Sequence, residues 1–110
     1  MIYKIIATGR KAEIEFKGRL TYSDYSQFRQ ITDVIGESPN QVCIFDLSKL
    51  DFIDSAGLGM LLLARDKIQE CRGTITLLNV TGQVKKMIEL GRFDALFTIE
   101  NRDTTHTNNI

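Results

Sequence analysis

The sequence has few of the residues and patterns that mark an enzyme. It contains a single histidine, His106, which lies in a polar C-terminal stretch, and neither a GxSxG nor a GxxxxGK[ST] pattern occurs. A serine hydrolase needs a base within hydrogen-bond reach of its nucleophile, and a P-loop nucleotide hydrolase needs the glycine-rich loop. We therefore expect a protein that performs no chemistry itself and needs no cofactor.

Cysteine, net charge and long apolar runs are also scarce. Cys43 and Cys71 have no CxxC spacing, which is typical of reduced thiols in a cytosolic protein. The 14 acidic and 14 basic residues balance, so no bulk charge favours nucleic acid or an anionic membrane. No apolar run approaches a membrane span, and residues 1–4 lack a signal-peptide pattern. We predict a cytoplasmic protein with no nucleic acid and no membrane as partner.

The length and the apolar pattern predict one α/β domain. A chain of 110 residues can bury one modest core. Ala12, Ile14 and Phe16 alternate with polar residues after a glycine-containing turn, which predicts an antiparallel hairpin with one buried face. The full order is strand, strand, helix, strand, helix, strand, helix, strand. This order predicts helices packed against a mixed sheet, with an antiparallel first hairpin and parallel strands after it.

The predicted domain covers residues 1–100, and residues 101–110, polar and without a period, are expected to form a flexible tail. Residues 42–45 are continuously apolar, as in a strand covered on both faces. We expect a polar turn after them and a short apolar step, Phe52-Ile53, before the second helix. For the first helix, Thr21 or Ser23 is the expected N-cap.

The most informative stretch is the start of the second helix. Asp54 is a good N-cap, and Ser55 then falls in the first turn, beside unpaired N–H groups and the positive end of the helix dipole. A phosphate group is favoured at such a position. Gly57 and Gly59 each cost about 1 kcal/mol relative to alanine in a helix, which indicates that another backbone comes close. The alternative is that Asp54 is only a cap and the glycines ease packing.

Two further features of this region need an interpretation. Asp46, Asp51 and Asp54 lie within nine residues, but carboxylates in turns and caps are commonly solvated, so we predict no metal site. From residue 56 to residue 64 the helix has no polar side chain. If its other apolar residues face the sheet, Met60 and Leu63 point away and form a contact surface. The alternative is that they pack under a neighbouring helix or loop.

The segment Asp46-Leu47-Ser48, followed by Phe52-Ile53-Asp54-Ser55-Ala56-Gly57-Leu58-Gly59, resembles the signature of the STAS domain of bacterial anti-sigma factor antagonists. The similarity covers nearly the whole chain except about the last ten residues. It implies the STAS fold, phosphorylation of Ser55 by a partner serine kinase that is an anti-sigma factor, and a serine phosphatase that reverses it. The implied partner-binding residues are Thr21, Tyr22, Ser23, Asp54, Ala56, Gly57, Leu58, Gly59, Met60 and Leu63.

The sequence departs from the family at one position and leaves one rival function open. Many family members have an acidic residue where this chain has Thr21, so its loop keeps hydroxyl groups but lacks that charge. We expect a monomer when the protein is free of its partner. The rival is a constitutive scaffold subunit of a transporter-associated or signalling complex, with the same fold and no switch.

Overall fold

The computed structural model describes residues 1–102 of the chain. Its strands are β1 (Ile2–Thr8), β2 (Lys11–Leu20), β3 (Val42–Ile53), β4 (Thr74–Leu78) and β5 (Thr98–Glu100). Its α-helices are α1 (Tyr25–Ile35), α2 (Ser55–Glu70) and α3 (Gly82–Leu90). Short 3₁₀ turns occupy Tyr22–Asp24 and Phe93–Ala95. The predicted order of strands and helices is confirmed.

The five strands form one sheet in the order β1-β2-β3-β4-β5. β1 and β2 pair antiparallel through a tight turn in which Gly9 has a φ of 59°, and all later neighbours pair parallel. The predicted mixed sheet with an antiparallel first hairpin is therefore confirmed. Leu20 at the end of β2 pairs with Ile53 at the end of β3, which brings the loop after β2 beside the start of α2.

The core lies on the face of the sheet that the helices cover. Phe16, Phe28 and Phe45 meet there, with ring centroids 5.2–6.2 Å apart. Aromatic pairs at this spacing stabilise a core beyond their area burial. The prediction that residues 42–45 are covered on both faces is wrong, because Val42 is 44% exposed on the opposite face. That face also has an ion pair, in which Lys49 Nζ lies 3.4 Å from Glu15 Oε1.

The predicted polar turn after residue 45 is also wrong, because β3 continues for 12 residues to Ile53. Leu47 and Leu50 are buried and keep the strand on the core despite their polar neighbours. Their spacing of three breaks the period of two. The pairing of β2 with β3 absorbs one extra residue of β3 at each of two register shifts, between Glu15 and Lys17 and between Gly18 and Arg19.

Three smaller differences concern element ends and exposure. The N-cap of α1 is Asp24, because residues 22–24 form a 3₁₀ turn that Thr21 precedes. All seven residues of β1 are exposed, so only β2 of the hairpin buries a face. Of the predicted tail, residues 103–110 lie outside the described residues, whereas Arg102 donates its backbone N–H to Asn79 Oδ1 at 2.7 Å.

Candidate functional site

Asp54 caps α2 as predicted. Its backbone is extended (φ −102°, ψ −179°), and its carboxylate Oδ1 accepts the N–H of Gly57 at 2.7 Å. Its carbonyl oxygen accepts the N–H of Leu58 at 3.0 Å, which is the first intrahelical bond. Asp54 therefore fixes the direction in which α2 leaves the sheet.

The same residue also ties α2 to the loop after β2. The backbone N–H of Asp54 donates to the carbonyl of Leu20 at 3.3 Å, and Asp54 Oδ2 accepts the N–H of Tyr22 at 3.3 Å. The two carboxylate oxygens thus serve two different segments. Capping the helix needs only the bond from Gly57 to Oδ1. The bond from Tyr22 to Oδ2 joins the helix start to the neighbouring loop.

The two glycines of this turn differ in their surroundings. A Cβ atom on Gly57 would overlap the carbonyl oxygen of Leu20 and would lie 2.7 Å from Cγ1 of Ile53. A Cβ atom on Gly59 would meet nothing within 4 Å. The expected close approach of another backbone is therefore confirmed for Gly57 and wrong for Gly59.

Ser55 is the first residue of α2 and is exposed. Within residues 1–102, its hydroxyl group has no hydrogen-bond partner. Of the first N–H groups of the helix, those of Asp54 and Gly57 are bonded, which leaves those of Ser55 and Ala56 available. An accessible hydroxyl beside free N–H donors can accept a phosphoryl group and can hold the phosphate that results.

The loop before α1 contains an acidic residue that the sequence analysis missed. Asp24 Oδ2 accepts the backbone N–H of Thr21 at 2.9 Å, and Asp24 Oδ1 lies 3.1 Å from the terminal ammonium of Met1. Burial alone would raise the pKa of Asp24, but the Thr21 hydrogen bond and the ammonium outweigh it, and the pKa is lowered. The Thr-x-x-Asp spacing of residues 21–24 is a capping-box pattern that could have found it.

A second missed residue is Gln83 in the first turn of α3. Its Oε1 accepts the N–H of Ile53 at 2.9 Å, and its Nε2 donates to the carbonyl of Ile53 at 3.0 Å. Glutamine is an ordinary surface residue of helices, so the sequence carried no signal for this contact. It fixes the residue immediately before Asp54.

The predicted contact residues of α2 divide between the interior and the surface. Met60 is 3% exposed and lies in the core, so its predicted outward direction is wrong. It faces α1, because α2 packs against both the sheet and that helix. Leu63 is 57% exposed, as predicted. It lines a cavity of about 380 Å³ between α1 and α2, together with Tyr25, whose ring is also exposed.

The other predicted partner-binding residues divide in the same way. Gly57 and Leu58 are buried, so neither can offer a side chain to a partner. The remaining predicted contact residues, together with Ser55, are exposed or half-buried: Thr21, Tyr22, Ser23, Asp54, Ser55, Ala56, Gly59 and Leu63.

The cysteines and carboxylates do not form a second site. Burial raises the pKa of the Cys43 thiol to about 11, and Cys71 Sγ donates to the carbonyl of Gly36 at 2.9 Å. Asp46 Oδ1 accepts the N–H of Ser48 at 3.0 Å, within β3. Among residues 1–102, no group of three or more His, Cys, Asp or Glu side chains could hold a metal ion.

Comparison with known proteins assigns the family. The model of the STAS domain matches residues 7–106, which includes the Ser55 region and most of the chain. The chain belongs to the STAS domain family. A STAS-domain containing protein of Pseudomonas aeruginosa is 31% identical over 93 residues, which cover 84% of this chain and 91% of that protein.

Solved structures at lower identity show the same fold. A Thermotoga maritima protein described as a candidate anti-sigma factor antagonist superposes with a TM-score of 0.81 at 15% identity, covering 98% of this chain and 93% of that one. The anti-sigma factor antagonist SpoIIAA matches in its unphosphorylated form (TM-score 0.71, 18% identity, 96% and 94% coverage). The phosphorylated form of SpoIIAA from Bacillus also matches (TM-score 0.73, 17% identity, 96% of each chain). None of the helices described within residues 1–102 has the length and apolar character needed to cross a membrane.

Proposed function

We propose that this STAS domain is a binding module switched by phosphorylation of Ser55. In the unphosphorylated state it binds a serine kinase of the anti-sigma factor type through the surface around the start of α2. The kinase transfers a phosphoryl group to Ser55, the complex separates, and a serine phosphatase restores binding. The observation that carries this proposal is the exposed hydroxyl of Ser55, which lies beside the N–H groups of Ser55 and Ala56; within residues 1–102 none of these groups has a hydrogen-bond partner.

The relatives support a switch of this class. SpoIIAA, whose structures in phosphorylated and unphosphorylated form share this fold, is named an anti-sigma factor antagonist. In the present chain the residue after the N-cap is a serine, as the resemblance requires. The domain itself performs no chemistry in this proposal, because the kinase supplies both the base and the nucleotide.

The docking surface follows from the exposed residues. Tyr22 is 76% exposed, and its backbone N–H donates to the Asp54 carboxylate. Leu63 lies two turns further along α2, where it lines the cavity between α1 and α2 together with Tyr25. Aromatic and large aliphatic side chains dominate the energy of protein interfaces, so these three residues are the expected anchors. Met60 and Leu58 contribute by holding α2 in place from the core.

The charge of the phosphate explains the release of the partner. Phosphorylation adds about −1.5 to −2 charges at neutral pH. Within the domain, the charge is favoured at the helix N-terminus by ~0.3–1 kcal/mol and opposed by Asp54, so the fold persists. At a closed interface the same group must lose water, and a buried unpaired charge costs several kcal/mol. Since every 1.4 kcal/mol is a factor of ten in affinity, the phosphorylated form is released.

The test is phosphate transfer from labelled ATP, with each purified anti-sigma-type serine kinase of the source organism assayed in turn. We expect the wild type to be labelled on Ser55 and the Ser55→Ala variant to stay unlabelled while it still binds the kinase. Ser23→Ala is the matched control, because Ser23 is an exposed hydroxyl on the same surface. Label that persists in Ser55→Ala and disappears in Ser23→Ala would place the switch on the loop before α1.

A second measurement separates the switch from the constitutive scaffold. Homogeneously phosphorylated protein and the Ser55→Asp variant should keep the native circular dichroism spectrum and lose affinity for the kinase in titration calorimetry. Equal affinity of the phosphorylated and unphosphorylated proteins would reject the switch and favour the scaffold.

A further inference from the structure

The end of β3 has no strand on one side. β4 pairs with β3 only from Val42 to Asp46, whereas β3 runs on to Ile53. In a parallel ladder, the N–H and C=O groups of one residue point to the same neighbour. Ile53 pairs with Leu20 on the β2 side through the N–H of Asp54. The N–H and C=O groups of Ile53 itself therefore point to the opposite side, beyond the last residue of β3 that pairs with β4.

The side chain of Gln83 takes the place of the missing strand. Its amide carries one acceptor and one donor side by side, as a backbone segment does, and it bonds both groups of Ile53 at 2.9 and 3.0 Å. Ile53 is fully buried. Buried backbone groups need partners, so this contact satisfies two polar groups that water reaches poorly.

The position of this contact connects α3 to the phosphorylation site. Gln83 is the second residue of α3, and Ile53 is followed directly by the cap Asp54 and then by Ser55. The two bonds fix the orientation of the Ile53 backbone, from which the chain turns into α2. We propose that Gln83 is a positioning residue for Ser55, and that α3 is coupled through it to the start of α2. For its kinetic consequence this inference rests on the proposed function.

The proposal predicts that loss of the Gln83 contact lowers kcat for phosphorylation of Ser55 much more than it changes KM. Loss of the Gln83 bonds loosens the Ser55 turn, so the hydroxyl spends less time in line with the transferred phosphoryl group. Misplacement of a reacting atom by about 1 Å can cost a hundredfold in rate. Within residues 1–102, neither Tyr22 nor Leu63 has a hydrogen bond to Gln83, so we expect these anchors to keep their exposure. We therefore expect kcat for phosphorylation to fall about tenfold or more, with KM changed less than threefold.

The experiment uses the full chain and three variants. Gln83→Leu removes both bonds at similar volume. Gln83→Glu keeps the shape, but its carboxylate cannot donate to the carbonyl of Ile53 until it is protonated. Gln69→Leu is the matched control, because Gln69 is exposed near the far end of α2 and its side chain has no hydrogen bond within residues 1–102. The readouts are phosphorylation kinetics and amide hydrogen-exchange protection factors of residues 53–57.

The Gln83→Glu variant supplies a second readout, the pH dependence of hydrogen-exchange protection, which a general loss of packing would not change. Its protection at residues 53–57 should be low at pH 7 and should rise toward the wild-type value as the pH falls below about 4, because the protonated acid regains a donor. The wild type, measured alongside, has no titratable group at position 83 and corrects for other titrations. A glutamate variant whose difference from the wild type stays constant with pH would overturn the proposal.

The outcomes distinguish this inference from the proposed function. Reduced kcat and protection in Gln83→Leu, with Gln69→Leu unchanged, support it. Wild-type kinetics together with wild-type protection in Gln83→Leu overturn it. If no kinase labels the wild type on Ser55, the proposed function fails, and the protection factors of the glutamate variant still decide whether Gln83 positions the turn. If Gln83→Leu does not fold, the same protection factors decide the question.

Discussion

The start of α2 and its outward face two turns later are built in opposite ways. At the start, three separate segments are held together by the Asp54 carboxylate, the Gly57 approach to Leu20 and the Gln83 contact with Ile53. On the outward face, Leu63 is largely exposed beside an open cavity. The first region uses short, directed hydrogen bonds to backbone groups, and the second presents an apolar side chain to solvent.

This difference shows which role each region can fill. In the proposed function, Ser55 enters a kinase active site and needs a backbone of defined position, which directed hydrogen bonds supply. A surface that binds a partner and later releases it needs apolar area without a fixed internal partner, and Leu63 supplies that. Both regions belong to one helix, with Ser55 eight residues before Leu63.

The pair Met60 and Leu63 gives the largest expected contrast. Met60→Lys places a charge in the core, which costs several kcal/mol when unpaired, so we expect loss of cooperative thermal unfolding. Leu63→Lys should change the free energy of unfolding by less than about 0.5 kcal/mol and should weaken kinase binding at least tenfold. Calorimetry of unfolding and of binding measures both. A folded Met60→Lys protein or a destabilised Leu63→Lys protein would reverse the assignment of core and surface.

The two glycines of α2 test how tightly the start of the helix packs, with a smaller expected change in stability. Gly57→Ala forces its Cβ against the Leu20 carbonyl, and overpacking of this kind costs about 1–3 kcal/mol. Gly59→Ala meets open space and should be neutral or stabilise the helix by up to ~1 kcal/mol. Urea unfolding of the two variants gives the comparison directly. Equal effects at both positions would mean that the contact between α2 and the end of β2 is not tight.

The same contrast explains which parts of the fold could be predicted from sequence. Period and capping signals are local, so the order of the elements, the Asp54 cap and the position of Ser55 followed from them. The extension of β3 was missed because the spacing of Leu47 and Leu50 breaks the period of two. The strand continues only because β2 stays paired with it through the register shifts. The direction of Met60 was missed because α2 packs on two surfaces, and a helix that is apolar all round does not show which side stays free.

The tertiary parts of the site had weaker signals or none. The second oxygen of Asp54 binds Tyr22, 32 residues away, and Gln83 binds Ile53, 30 residues away. Neither contact could be predicted from a local sequence pattern, because its two residues are far apart in the chain. Asp24 was different, because its Thr-x-x-Asp pattern is local.

The smallest expected effect concerns Asp24 and the pH dependence of stability. The pKa of Asp24 is lowered in the folded protein, since hydrogen bonds from Thr21 and the ammonium of Met1 outweigh burial. A carboxyl group with a lowered folded pKa stabilises the protein above its unfolded pKa, near 3.8. The contribution is lost as the pH falls through the folded pKa. Asp24→Asn should therefore cost up to about 1 kcal/mol at pH 7, because the amide keeps the shape but loses the ion pair with the Met1 ammonium.

The difference from the wild type should then narrow below about pH 4, when the wild-type carboxyl group becomes protonated. Urea unfolding at pH 7, 5, 4 and 3 measures it. Asp51→Asn is the control for the loss of one negative charge, because Asp51 is exposed and its carboxylate has no hydrogen bond within residues 1–102. If the Asp24→Asn difference stays constant down to pH 3, the carboxylate acts by shape alone. The loop that carries Tyr22 would then be held by Asp54 and not by the charge of Asp24.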